Sequence, residues 1–234
     1  MKKAFLGTFT GIAILTVSLV TLVLVDHFKS PKEIFNKNIQ SIVEVISTTN
    51  EFESFGTAVV INNQGELITN YHVVSYTQNN EKYIHEVILI RLSTQETYIE
   101  VEVTKFDKYN DLAIIKIIDS EQYSEFESIE LGNSDDLSIG DICYAIGNAG
   151  NLSISMSQGI IGSPSIKLVV DGEEKTYIQS DISITSGSSG GALVDEWGRL
   201  IGITTLRLKD NTGAVIYGYG YSIPINQMKQ FLES

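Results

Sequence analysis

An all-β fold is what three features of this chain predict. Short runs of alternating apolar and polar residues recur from Thr57 onward, as in Tyr98-Ile-Glu-Val-Glu-Val-Thr104, and that alternation marks half-buried strands. Turn signals separate the runs at Asn62-Asn-Gln-Gly65, Gln78-Asn-Asn-Glu81, Asp171-Gly172 and Lys209-Asp-Asn-Thr-Gly213, where Asn, Asp and Gly accept the backbone angles of tight turns. No regular alternation of strands with helices is present, so a wound α/β sheet is not indicated. The chain has 234 residues, 43% hydrophobic and 19% charged. That is enough for one sizeable core, or for two small barrels forming one domain.

The elements follow in order. Lys2 and Lys3 precede an uncharged, proline-free apolar run from Ala4 to Val25. That run is long enough to cross a bilayer as a helix. The exit, Val23-Leu-Val-Asp-His-Phe-Lys29, lacks the small-residue site of a cleaved signal peptide. An uncleaved, single-pass anchor over residues 1–30 is therefore expected, followed by one folded domain over residues 31–234. The flanking lysines, Lys2 and Lys3 against Lys29, Lys32 and Lys37, do not decide the orientation by the positive-inside rule. Pro31 to Ser47 carries Ile34, Phe35, Ile39, Ile42, Val43 and Ile46 at a spacing that predicts an amphipathic helix. The acidic stretch from Asp119 to Asp136 is less patterned and reads as a crossover between two halves of the fold. The single cysteine, Cys143, lies in the apolar Asp141-Ile-Cys-Tyr-Ala-Ile-Gly147 and reads as a core residue unable to form an internal disulfide.

Composition excludes some functions. A net charge of −13 argues against a nucleic-acid partner, which needs basic patches. Neither zinc-ligand spacing nor a phosphate-binding glycine motif is present, so no metal and no cofactor is expected.

The chemistry is concentrated in Gly187-Ser188-Ser189-Gly190-Gly191. A serine hydroxyl is a weak nucleophile at neutral pH and needs a base beside it. It also needs backbone N–H donors aimed at the oxyanion formed on attack, and glycines let the chain turn tightly enough to aim them. Of three histidines, His27 follows the apolar run and His85 reads as an ordinary strand residue. His72, in Leu67-Ile-Thr-Asn-Tyr-His-Val-Val74, lies where a strand runs into a turn. Asp111, opening Asn110-Asp111-Leu-Ala-Ile-Ile-Lys-Ile117, is an acid able to orient it. The chain order His, Asp, Ser is that of the Ser-His-Asp triad on paired β-barrels. The same residues taken singly would be a Gly/Ser loop, a structural histidine and a turn aspartate.

In its pieces and their order the sequence resembles the bacterial HtrA/Deg-type, trypsin-like serine proteases over about residues 40 to 230. The resemblance rests on Phe55-Gly-Thr-Ala-Val-Val60 leading to the His72 block, on Leu131-Gly-Asn-Ser134 with Ala145-Ile-Gly-Asn148, on Tyr177-Ile-Gln-Ser-Asp-Ile-Ser-Ile184 before the nucleophile, and on Gly220-Tyr-Ser-Ile-Pro-Ile-Asn226. Thr185, Ser188 and Ala192 depart from the family pattern, which commonly has Asn, Asn and Pro there. The resemblance implies two six-stranded antiparallel barrels of chymotrypsin type. It implies catalysis by His72, Asp111 and Ser189, and an oxyanion hole from the N–H groups of Gly187 and Ser189. It further implies a substrate pocket bordered by Ile184, Thr204, Thr205 and Tyr221, with cleavage after small or medium aliphatic residues. Arg207, on the same strand, reads as a solvated edge residue. Polypeptide substrates in protein quality control, an extracytoplasmic catalytic domain and a homotrimer built through the N-terminal part are further expectations. The chain stops at Ser234, so no PDZ domain is expected in cis. Two rival readings share the residues. One is a catalytically silent scaffold or holdase for unfolded chains. The other is an esterase, whose nucleophile elbow Gly187 to Gly191 matches formally while the order of the triad does not.

Overall fold

The computed structural model describes residues 29–92, 95–118, 126–206 and 216–233. The apolar run of the expected anchor (Ala4 to Val25), His27, Arg207 and the turn at Lys209–Gly213 lie outside them. Among the described residues no helix is long and apolar enough to cross a membrane.

The chain enters through a short helix, α1 (Pro31–Asn38), followed by a 3₁₀ turn over Ile39–Ser41. Ser30 caps α1 through a reciprocal box with Glu33, and Pro31 occupies its first turn, where a missing N–H costs nothing. The predicted helix to Ser47 is corrected here: β1 already runs over Ile42–Thr48. Ile42-Val-Glu-Val-Ile46 is mostly β-branched, a composition that suits a pleated surface and stiffens side chains against a helical turn. β structure thus begins well before Thr57.

The first barrel consists of β1, β2 (Glu53–Val60), β3 (Glu66–Thr69), β6 (Val87–Leu92), β7 (Ile99–Asp107) and β8 (Leu112–Ile117), closed in the order β1-β2-β3-β8-β7-β6. A hairpin of β4 (Ser75–Gln78) and β5 (Glu81–Ile84) stands outside it. Its turn places Asn79 and Asn80 at φ 53° and 64°, the left-handed pair that a two-residue hairpin turn requires. The second barrel consists of β9 (Ile142–Gly147), β10 (Ser155–Val170), β11 (Glu173–Ser180), β12 (Ala192–Asp195), β13 (Leu200–Leu206) and β14 (Gly220–Pro224), closed as β10-β11-β14-β13-β12-β9. A final helix, α2 (Ile225–Glu233), ties the halves together: Lys105 Nζ of β7 donates to the Phe231 carbonyl, and Lys229 Nζ to that of Gly132.

Closing both sheets removes exposed edges, and the fold places the apolar faces in register. One buried cluster joins Val59, Ile68 and Leu112 of the first barrel to Ile146, Ala192 and Ile203 of the second, with Ile34 of α1 included. Cys143 is fully buried in a smaller cluster of the second barrel. Burial pushes its thiol up to about 12, with Asp181 and Asp141 adding to the effect.

Candidate active site

His72 and Asp111 come from the first barrel and Ser189 from the second. After β3, Asn70 stays extended and the chain turns through a 3₁₀ turn at Tyr71–Val73, which swings His72 out of the sheet. Asp111 sits just before β8 at φ 56°, a left-handed conformation that aspartate tolerates better than bulkier residues. The Asp111 carbonyl accepts from the Tyr71 N–H at 3.1 Å and from Asn70 Nδ2 at 3.0 Å. These two bonds fix the β3 turn against the start of β8.

The carboxylate then holds His72 twice. Oδ1 accepts from the His72 backbone N–H at 2.9 Å, and Oδ2 pairs with ring Nδ1 at 2.7 Å. A third donor, the Thr205 hydroxyl, reaches Oδ2 at 3.0 Å. Burial pushes the Asp111 carboxyl up. The hydrogen bonds from the His72 ring and backbone, the His72 charge and the Thr205 hydroxyl act oppositely and prevail, holding it below the usual aspartate range. Such an acid stays ionised at neutral pH and presents Nε2 of His72 to the cleft. The His72 side chain is 44% exposed and that of Asp111 24%, so the imidazole faces solvent while its partner is shielded.

Ser189 lines the same cleft as His72, a space of about 320 Å³ that Ile184, Thr185, Ser186, Gly187, Thr205 and Phe55 also border. Its hydroxyl donates to the Thr205 carbonyl at 3.2 Å.

Two backbone peptides beside Ser189 are pinned. The Ser186 carbonyl accepts from the Gly150 N–H at 2.7 Å. A trans, planar peptide points its N–H opposite its C=O, so the Gly187 N–H faces away from Gly150. The Ser188 carbonyl accepts from the Gly191 N–H at 3.0 Å and from the Thr204 hydroxyl, which turns the Ser189 N–H away from that side. Gly187 lies at φ 86°, and a Cβ there would collide with the Asn148 carbonyl and Asn151 Oδ1. Gly190, at φ 83°, has the Thr57 carbonyl and the Thr69 hydroxyl where its Cβ would be. Only glycine fits either position.

The remaining sequence-predicted residues separate. Ile184 borders the cleft and is 5% exposed. Thr205 borders it too, but its hydroxyl is engaged with Asp111 and its carbonyl with Ser189. Neither link is readable from sequence. Thr204 is buried, its hydroxyl holds the Ser188 carbonyl behind the nucleophile loop, and it lines a smaller cavity with Ile184 and Ser188. Tyr221 is 4% exposed, packs in the core and meets the Tyr177 ring edge-on at 6.5 Å. His85 lies in the link between β5 and β6 rather than in a strand. It is buried, with Nε2 3.1 Å from the Ser54 hydroxyl.

The profile of the trypsin-like peptidase domain matches residues 56–203, which span His72, Asp111 and Ser189. The chain belongs to the trypsin-like peptidase family. Its similarity is to peptidases of HtrA/Deg type. The magnetosome formation protease MamE of Magnetospirillum gryphiswaldense is 34% identical over 79% of this chain and 22% of its own length. The periplasmic pH-dependent serine endoprotease DegQ of Escherichia coli is 33% identical over 76% of this chain and 36% of its own length. This family member thus spans about a fifth to a third of those two relatives. Among solved structures, the HtrA-type protease AlgW with tripeptide superposes with a TM-score of 0.74 at 28% identity, covering 88% of this chain and 63% of the other.

Proposed function

We propose that residues 31–234 form a serine endopeptidase domain acting on polypeptides. The observation that carries this reading is the doubly hydrogen-bonded His72–Asp111 pair facing one cleft with Ser189. In this reading Ser189 Oγ attacks the peptide carbonyl. His72 Nε2 takes the hydroxyl proton and returns it to the leaving amine. Asp111 holds the imidazole and stabilises the imidazolium. The N–H groups of Gly187 and Ser189 receive the oxyanion, and each such donor contributes about two to three orders of magnitude in turnover. Ile184 at the cleft wall favours small or medium aliphatic side chains before the cut.

Residues 1–30 anchor the domain to the cell membrane, and the domain works outside the cytoplasm on exported or misfolded chains. The apolar run from Ala4 to Val25 supports the anchor, and the periplasmic designation of DegQ supports the location. Trimer formation through α1 accords with the family's habit.

The test uses the full chain in detergent micelles. A fluorophosphonate should label Ser189, and an unfolded protein substrate should be cut. Ser189→Ala should abolish both, and full hydrolysis by Ser189→Ala would overturn the reading. Retention in the membrane through alkaline washes should accompany it. A mature chain beginning near Asp26 would show cleavage instead.

A further inference from the structure

Thr57 stands in β2 of the first barrel, yet most of its polar atoms are committed to the nucleophile loop of the second. Its hydroxyl donates to the Gly187 carbonyl at 2.7 Å and accepts from the Asn148 N–H at 2.9 Å. Its backbone N–H donates to the Ser189 carbonyl at 2.8 Å. Its own carbonyl accepts from the Thr69 hydroxyl at 2.7 Å, and Thr69 lies three residues before His72. The residue is fully buried, so no solvent can replace these partners. Gly147 is packed against the hydroxyl so closely that a Cβ there would lie 3.1 Å from it.

We infer that Thr57 is a positioning residue for the oxyanion hole: its hydroxyl holds the Gly187 carbonyl and, with the Ser188 N–H bound to the Thr185 carbonyl at 3.1 Å, fixes the Gly187–Ser188 peptide that joins the two oxyanion donors. This rests on the endopeptidase reading above. The Gly150 N–H secures the peptide before Gly187 through the Ser186 carbonyl, and the Thr57 hydroxyl secures the peptide after it. Gly187 has no side chain to hold it, and its φ of 86° is one of several open to glycine. The first bond sets the Gly187 N–H, which is trans to the Ser186 carbonyl, and the second sets the turn by which the chain passes from that peptide toward the Ser189 N–H. Removing the Thr57 hydroxyl leaves the second peptide held only through the Ser188 N–H, which donates to the Thr185 carbonyl at 3.1 Å, and leaves the buried Gly187 carbonyl and Asn148 N–H unpaired. The same residue also sets the distance between barrels, because it links the strand leading to His72 with the loop carrying Ser189. A positioning error of about 1 Å at a reacting centre can cost about a hundredfold in rate.

Thr57→Val keeps the shape and removes the hydroxyl. In the full chain it should lower kcat about 10- to 100-fold with KM little changed. Affinity for a peptidyl boronate, whose adduct places an oxygen in the oxyanion hole, should fall in parallel. Binding of the matching product acid should hold. Thr57→Ser should restore most of the lost turnover and Thr57→Ala should not. If Thr57→Val does not fold, the Ser-against-Ala comparison below their melting temperatures decides, and equal turnover of those two overturns the inference. So does a Thr57→Val enzyme within about threefold of the parent in kcat and boronate affinity. A parent without peptidase activity would sink the endopeptidase reading instead. Amide exchange then still tests the clamp: the Asn148 N–H should exchange faster in Thr57→Val than in Thr57→Ser, and equal rates overturn it.

Discussion

Asp111 shows how a single side chain can be both charged and largely shielded. Its carboxyl accepts from a ring nitrogen, a backbone N–H and a hydroxyl, which outweighs the cost of its burial. Asp111→Asn would keep the shape but present an amide donor to Nδ1, favouring the wrong tautomer. Turnover should fall about 10⁴-fold with the melting temperature nearly unchanged, as peptide hydrolysis beside calorimetry would show. The pH dependence follows from the same bonds. The folded carboxyl titrates below its unfolded value, so its stabilisation is complete above the unfolded pKa, about 3.9. It is lost as pH falls through the folded pKa. Thr205→Val removes one donor, raises the folded pKa and should move acid unfolding to higher pH. A midpoint that stays put or moves down would contradict this account of the Thr205 hydroxyl. Cys143, pushed up to about 12 by burial and nearby carboxylates, should resist iodoacetamide at neutral pH until the protein is denatured. Rapid native alkylation would show the thiol is more open than its burial indicates.

Elements were legible where one local cause decides them and illegible where two compete. The hairpin turns at Asn79-Asn80 and Asp171-Gly172 were readable because their left-handed angles need those residue types. The boundary between α1 and β1 was not. Ile34, Ile39, Ile42, Val43 and Ile46 fit a helical stripe, and pairing of β1 with both β2 and β6 settled the competition at Ile42. Which face of β13 borders the cleft was hidden for another reason. The β13–β14 register slips between Thr204 and Leu206, and a bulge breaks the two-residue alternation on which any facing argument rests. His72, Asp111 and Ser189, which the fold brings to one cleft, stood out because few residue types suit the proposed chemistry. Thr57 and Gly150 act through hydroxyl and backbone contacts across long sequence separations, and no local pattern marks them. Helix α1 carries its own prediction. Ile34 is fully buried in the cluster shared by both barrels, so Ile34→Ala should cost about 2–5 kcal/mol. Urea denaturation would measure it, and a loss under 1 kcal/mol would mean that α1 is not docked as described.

At the scale of the whole molecule, the two barrels border one candidate site and share one apolar cluster, beside a cluster within each. His72 and Asp111 hang from the first, Ser189 from the second, and the cleft between them exists only when both are formed. Energetics point the same way. The largest apolar cluster crosses the boundary, from Val59 and Ile68 to Ile146 and Ile203, so separating the barrels would expose buried faces on both. Each Å² of apolar surface so exposed costs about 25 cal/mol. Hydrogen bonds reinforce the boundary: Lys105 reaches the Phe231 carbonyl of α2, and Thr57 reaches the nucleophile loop. One cooperative unfolding transition should follow. The chain has a single tryptophan, Trp197, in the turn between β12 and β13 of the second barrel. Lys37 of α1 donates to its carbonyl at 2.9 Å, and the Arg199 guanidinium lies 4.7 Å from its ring. Its fluorescence therefore reports on the second barrel, whereas far-ultraviolet circular dichroism reports on strands of both. In urea the two signals should change with the same midpoint and slope, and loss of peptidase activity should not precede them by more than the fraction unfolded. A tryptophan transition separated from the dichroism transition would show that the barrels unfold independently and that the shared cluster contributes little.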